Sequence, residues 1–304
     1  MNLSIDDVRV VLEEIIPIKV GAEVSSIYKF RAGNTIWWSS DSGLIVKEKS
    51  PAGFTLYSQV EKFAKDLSDR RLFDYASLPF FKSNKMIQNP ETLNTLKVKV
   101  NGFPLQAKLY ENSTVILKDS ILTMQKIEVQ ILKEKSYQLP FKGDKFDRYL
   151  SPDKWVVSDY KPLQDTGVIY ARSSKNDAFL FANYLKSYVF NLVRLRPLFT
   201  LSDSRGFLDS LSGDYLEKTV MFATYARAGG LPTRLIGGFV YLKGYFYFHT
   251  WPEVWFNQWI PLDPTFVQFP ADVTHIPLKE GNLEDITSII KDLKSVTIEI
   301  LEAS

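Results

Sequence analysis

The chain has 304 residues, 37 Lys and Arg against 35 Asp and Glu, a formal net charge of +2, and 45% hydrophobic and 14% aromatic content. That length buries one large core or two medium ones, and the near balance of charge gives no electrostatic reason to expect nucleic acid or an anionic membrane as a partner. With no cysteine and two histidines, the chain can form neither disulfides nor thiolate metal sites, and a zinc ion would be short of its usual ligands; no metal and no cofactor are expected.

The apolar runs are too short to span a membrane, and Asp6 and Asp7 make the amino end too acidic for a signal peptide. The expected compartment is the cytoplasm, or an extracytoplasmic space if an export signal precedes this sequence. Residues 4–15 set Ile5, Val8, Val10, Val11, Leu12 and Ile15 behind Ser4 and two early aspartates, which predicts a helix ending before Pro17. Residues 23–31, 35–39 and 43–49 predict a strand meander, punctuated by Ala32-Gly33-Asn34 and Ser40-Asp41-Ser42. Trp37 and Trp38 are adjacent on one strand and so point to opposite faces, one expected inside and one at the surface. Leu56, Val60, Phe63 and Leu67 are spaced for a helix over 55–67, and 72–90 reads as aromatic, loop-rich packing.

Strands are predicted next over 95–100, 103–110, 113–118 and 124–129, with 132–139 as an edge strand; Asn101-Gly102 is the strongest hairpin signal in the chain. The polar segment 142–154 marks the expected domain boundary, with a β-rich domain at 1–145 and a second domain at 150–304. After Pro152 the pattern turns helical. Phe179, Phe181, Tyr184, Tyr188 and Leu192 line a broad apolar face over 176–195, a short helix follows over 203–211, and a helix over 282–293 precedes a strand over 296–301.

Three pieces between Gly213 and Phe266 keep fixed distances from one another. Residues 215–228 read as a helix stopped by Gly229-Gly230, and 235–241, 245–249 and 254–259 as adjacent antiparallel strands separated by Lys243-Gly244 and Pro252. In order, they spell Gly230-Leu231-Pro232-Thr233-Arg234, then His249-Thr250-Trp251-Pro252-Glu253, then Trp259-Ile260-Pro261-Leu262-Asp263-Pro264-Thr265. This series resembles the core of the transglutaminase-like superfamily, a papain-like cysteine-enzyme fold of bacterial and archaeal type, over roughly residues 153–302. The resemblance implies a Cys at the first turn of the helix, seventeen residues before the Pro, and a catalytic Asp fourteen residues after the catalytic His. Here Tyr215 lies seventeen before Pro232, and Asp263 lies fourteen after His249. Residues 268–276 resemble the segment after the Asp-Pro-Thr in bacterial members. The implied architecture is α+β: a β-rich amino-terminal domain with flanking helices, then a domain in which a helix packs on an antiparallel sheet.

The position of the family's nucleophile is therefore Tyr215. A thiol at a helix N-terminus beside an imidazole ionises near neutral pH, whereas a phenol ionises near 10 and is a poorer acyl acceptor, so the usual chemistry has no nucleophile. Ser210 and Ser212 precede the helix and do not share its geometry. His249 and Asp263 then stand as a base and its orienting carboxylate. Trp251, Arg234 and Glu253 are the candidate binding residues, although a tryptophan on such a strand more often packs than binds, and Arg234 suits a tie of the turn to an aspartate or to backbone at least as well. His275, close behind Asp272, is expected to make a local hydrogen bond in a loop. The expected function is a pseudoenzyme that binds or scaffolds a protein, peptide or cell-envelope ligand. The alternative is a hydrolase or acyltransferase using His249 and Asp263 with water or the Tyr215 hydroxyl.

Overall fold

The structure, a computed structural model, describes residues 9–20, 23–32, 35–49, 55–58, 81–195, 203–213 and 215–304. Contacts divide the chain into two compact units, Met1–Asp74 and Tyr75–Ser304. The compositional break at 142–154 falls inside the second unit, because strands on either side of it share a sheet.

The first unit holds one antiparallel meander in chain order: β1 (Val10–Val20), β2 (Glu23–Ala32), β3 (Thr35–Ser40), β4 (Ile45–Lys49) and β5 (Thr55–Tyr57). Where the periodicity of residues 4–15 suggested a helix, Val10 onward is strand. Its Val and Ile side chains are stiff at χ1 and favour the pleated backbone, and Glu13 reaches across to Lys29 (3.1 Å) and Arg31 on β2. Residues 4–8 of that expected helix lie outside the described residues, as do 59–67 of the second; residues 55–57 of the latter are strand. Trp37 and Trp38 are both half-buried. Trp37 stacks with Phe30 at 6.1 Å, and Lys47 Nζ sits 4.4 Å over the Trp38 ring, so each face of the strand covers its own indole.

The second unit contains two larger sheets. One runs β16-β7-β9-β8, from β7 (Thr95–Asn101), β8 (Val115–Lys118), β9 (Ile121–Gln125) and β16 (Thr297–Ala303). β7 is flanked by β16 on one side and β9 on the other, which leaves no slot for a hairpin partner at 103–110. Gly102 does turn, at φ +76°, but into irregular chain and a 3-10 turn over Ala107–Tyr110. Residues 132–134 of the expected edge strand at 132–139, with Val129 from the expected strand at 124–129, instead form the helix α1 (Val129–Glu134), which buries Leu132.

Helices follow: α2 (Asp147–Leu150), α3 (Lys161–Ser173), α4 (Ala178–Leu192), α5 (Ser204–Ser210) and α6 (Tyr215–Ala228). A short parallel pair, β10 (Arg194–Leu195) and β11 (Ser212–Gly213), brackets α5. From Glu217 to Arg227 every residue of α6 is buried, which explains its weak amphipathic signal: α3 and α4 cover one side and the sheet the other. That sheet is antiparallel, in the order β14-β13-β12-β15, from β12 (Thr233–Leu242), β13 (Tyr245–Trp255), β14 (Trp259–Pro261) and β15 (His275–Glu280), with β6 (Phe81–Lys82) also on β13. Pro252 does not break β13. Its carbonyl accepts from the Leu262 amide (3.0 Å), so its hydrogen-bonding side faces the end of β14 and the missing N–H costs nothing in the ladder to β12. The helix α7 (Leu283–Ser288), capped by Asn282, continues into a 3-10 turn over Ile289–Ser295.

β12 and β15 approach closely at Gly238. A Cβ there would lie 2.0 Å from the Ile276 carbonyl oxygen and 3.0 Å from Trp251. Gly238→Ala is expected to cost about 1–3 kcal/mol through forced separation of the strands. Urea unfolding followed by tryptophan fluorescence reads this, and an unchanged midpoint would contradict so close an approach.

Candidate functional site

The site assembles where the first turn of α6 meets the middle of β13. Thr219, one turn into the helix, donates through Oγ1 to the Thr250 carbonyl (2.9 Å), and Thr250 Oγ1 returns to Thr219 Oγ1 at 3.2 Å. These contacts fix Tyr215 against His249, the neighbour of Thr250 on β13. The two rings pack at 5.1 Å between centroids, tilted by 48°. Phe266 approaches His249 at 5.3 Å. Tyr215 is half-buried and Phe266 is 38% exposed, while His249 retains only 4% exposure. What solvent meets here is therefore largely aromatic.

Behind His249 lies Asp263, in the turn after β14. Backbone bonds between Asp263 and Gln268 in both directions, each 2.9 Å, close that turn. Asp263 Oδ1 accepts the Thr265 amide (2.5 Å) and the Phe266 amide (3.2 Å), while Oδ2 faces His249 Nε2 at 2.6 Å and His275 Nε2 at 3.0 Å. Full burial would raise this carboxyl, but the charge and hydrogen bonds of the two imidazoles outweigh burial and hold it far below the usual carboxylate range.

His275 is the residue that sequence reasoning undervalued. It does bond to Asp272, but it opens β15 opposite Val240 and also reaches Asp263. Burial works against its charged form, yet the hydrogen bonds to Asp263 and Asp272 carry its pKa up to about 10. The available cue was composition: both histidines of the chain lie within fourteen residues of the same aspartate. Lys218 was also overlooked. It is buried one turn along α6, its Nζ 4.4 Å over the Phe190 ring; burial pulls its pKa down against the attraction of Asp263.

Trp251, Arg234 and Glu253 lie in the interior. Trp251 is 0% exposed, stacked 6.2 Å from His249 and edge-on to His275 at 5.1 Å. Arg234 donates to Glu253 Oε2 from Nε (2.8 Å) and Nη2 (2.5 Å), to Glu280 Oε2 (2.9 Å) and to the Leu109 carbonyl (3.1 Å). Its guanidinium also stacks 4.7 Å over Trp259. These groups brace β12, β13 and β15, and Arg234 also lines a surface cavity with Arg148, Tyr149, Asp153, Arg227 and Glu280. Around His249 the more exposed side chains are Phe266 and the half-buried Tyr215.

Among the described residues, His249, Asp263 and His275 also form a group whose ligand atoms lie within 4.8 Å of one another. The 2.6 Å separation of His249 Nε2 from Asp263 Oδ2 is shorter than two ligands about 2.1 Å from one ion tolerate at a tetrahedral angle. The cluster is closed by hydrogen bonds and does not fit a metal.

The model of the transglutaminase-like superfamily matches residues 169–264. Residues 169–264 are a transglutaminase-like core. This core takes in α4, α6, β12 to β14, Tyr215, His249 and Asp263. Among solved structures the chain is similar to a candidate cysteine protease from Cytophaga hutchinsonii, 13% identical, TM-score 0.40, over 74% of this chain and 80% of that one. It is similar to a candidate protease from Parabacteroides distasonis, 12% identical, TM-score 0.30, over 64% and 42% of the two chains. It also resembles the periplasmic domain of TgpA from Pseudomonas aeruginosa bound to ethylmercury, 19% identical, TM-score 0.26, over 48% and 55%. No curated protein matches. The transglutaminase-like core here stands in a chain without cysteine, and no helix among the described residues is long and apolar enough to cross a membrane.

Proposed function

We propose that this transglutaminase-like domain is a pseudoenzyme that binds a peptide or protein segment, or a cell-envelope ligand, at the aromatic surface of Tyr215 and Phe266 over His249. The observation that carries the reading is the Tyr215 ring packed on His249 at 5.1 Å, at the helix start where the family places its thiol. An acyl-transfer enzyme needs a nucleophile that ionises near neutral pH, and a phenol does not supply one. Aromatic rings at the mouth of a polar pair suit recognition: they bury area with little loss of side-chain entropy and leave the hydrogen-bonding groups to set orientation.

The retained His249–Asp263 bond at 2.6 Å supports a second reading, general-base activation of water. Turnover separates the two. Incubated with fluorogenic peptide and ester substrates, the full chain is expected to show none. Turnover that disappears in His249→Ala would replace the binding reading with a hydrolase. For binding, a fluorescent peptide library read by anisotropy is expected to yield saturable hits that survive Tyr215→Phe and weaken at least about tenfold in His249→Trp, about 1.4 kcal/mol. Hits indifferent to His249→Trp would move the binding surface elsewhere.

A further inference from the structure

We propose that His275 is a positioning residue held as the imidazolium at neutral pH, which makes the site a three-member chain His275–Asp263–His249 rather than a histidine–aspartate pair. The argument is one of donors and acceptors. His275 Nε2 faces the Asp263 carboxylate at 3.0 Å, and Nδ1 faces the Asp272 carbonyl at 3.1 Å and its Oδ1 at 3.4 Å. A neutral imidazole has one N–H and one lone pair, so either neutral tautomer would set a lone pair against an oxygen lone pair inside the protein. At 3% exposure no solvent relieves that contact. Only the imidazolium satisfies both sides.

The consequence reaches His249. Asp263 takes four donors, two backbone amides on Oδ1 and two ring nitrogens on Oδ2, so it cannot swing toward a ligand. Its negative charge is matched by His275 before His249 is counted. His249 Nε2 is committed to Asp263 at 2.6 Å. The other titratable groups facing His275 are His249 on β13, its ring 6.1 Å away, Glu253 across a small shared cavity, and Asp272 on its own approach loop; Lys218 on α6 acts on Asp263 from the helix side.

The inference concerns the same site as the proposed function but needs no ligand and no turnover, so its test fails or succeeds independently. With two histidines in the chain, one substitution assigns the ring signals. In long-range 15N NMR of the full chain at pH 8, both ring nitrogens of His275 are expected in the imidazolium range, and Asp272→Asn, which leaves Asp263 in place, is expected to lower the titration midpoint. A neutral-tautomer pattern for His275 at pH 8 overturns the proposal. Stability gives an orthogonal reading. The folded-state value, about 10, lies above the unfolded one, near 6.5, so the stabilisation is complete below pH 6.5 and lost as pH rises through 10. Between those values the unfolding constant is expected to rise up to about tenfold per pH unit in the wild type, one proton's worth, and this slope is expected to vanish in His275→Gln. A slope unchanged in His275→Gln would refute the assignment.

Discussion

Arg234→Met is expected to destabilise the protein by about 3–5 kcal/mol, because it leaves Glu253 buried and without its partner. Arg234 and Glu253 are 3% and 2% exposed, and Glu280 shares the same guanidinium. Burial already pushes the Glu253 carboxyl up against the pull of Arg234. Without the arginine, Glu253 would fold protonated, and its folded-state pKa would rise further above the unfolded one. A raised carboxyl pKa penalises folding most where the unfolded state is ionised, so the loss is expected to be larger at pH 7 than at pH 5. Denaturant titrations of the mutant at both pH values provide the check. A loss below 1 kcal/mol at pH 7 would mean the network is better solvated than its burial implies. Methionine keeps much of the side-chain volume, so the effect reads charge rather than cavity.

Tyr215→Cys is expected to give a thiol that iodoacetamide alkylates about tenfold faster at pH 7 than a free cysteine, whose pKa near 8.5 leaves only a few per cent as thiolate. The side chain would sit at the first residue of a fourteen-residue helix, beside His249, and both favour the thiolate. No other cysteine competes for the reagent. Combining the change with His249→Ala is expected to remove most of the acceleration. Reactivity no greater than that of a free thiol would show that α6 does not present residue 215 as the family presents its nucleophile. Acyl transfer appearing in Tyr215→Cys would show that the rest of the machinery persists.

The parts of the fold legible in the sequence were those set by local signals. The stop at Gly229-Gly230 is such a case: Gly230 takes φ +83°, and the helix ends at Ala228. So is the fourteen-residue interval from His249 to Asp263, which the structure closes with a 2.6 Å bond. The parts that were not legible depend on competition between distant segments. Asn101-Gly102 carries a good hairpin signal, but β16 already fills the place beside β7. Val10 to Ile16 fits helical and strand periods alike, and its β-branched residues settle as strand. His275 looked local because Asp272 is three residues away; its second partner becomes visible only once β15 lies beside β12. Trp251, Arg234 and Glu253 sit on consecutive inward-facing or paired positions of the sheet, and the motif that names them is silent about which side of the sheet meets solvent.

The pairing of β7 with β16 has a consequence for how the second unit forms. Lys97 and Glu302, which bridge the two strands at 2.9 Å, are 205 residues apart in sequence. Emerging from the ribosome, β7 through β9 can fold only as an open-edged ribbon, while the whole helical layer and the site-bearing sheet are synthesised. The closing strand arrives after them. Long-range closure of this kind slows folding and leaves the edge of β7 unpaired in the meantime, so the assembly of this unit passes through an interval in which that edge is exposed.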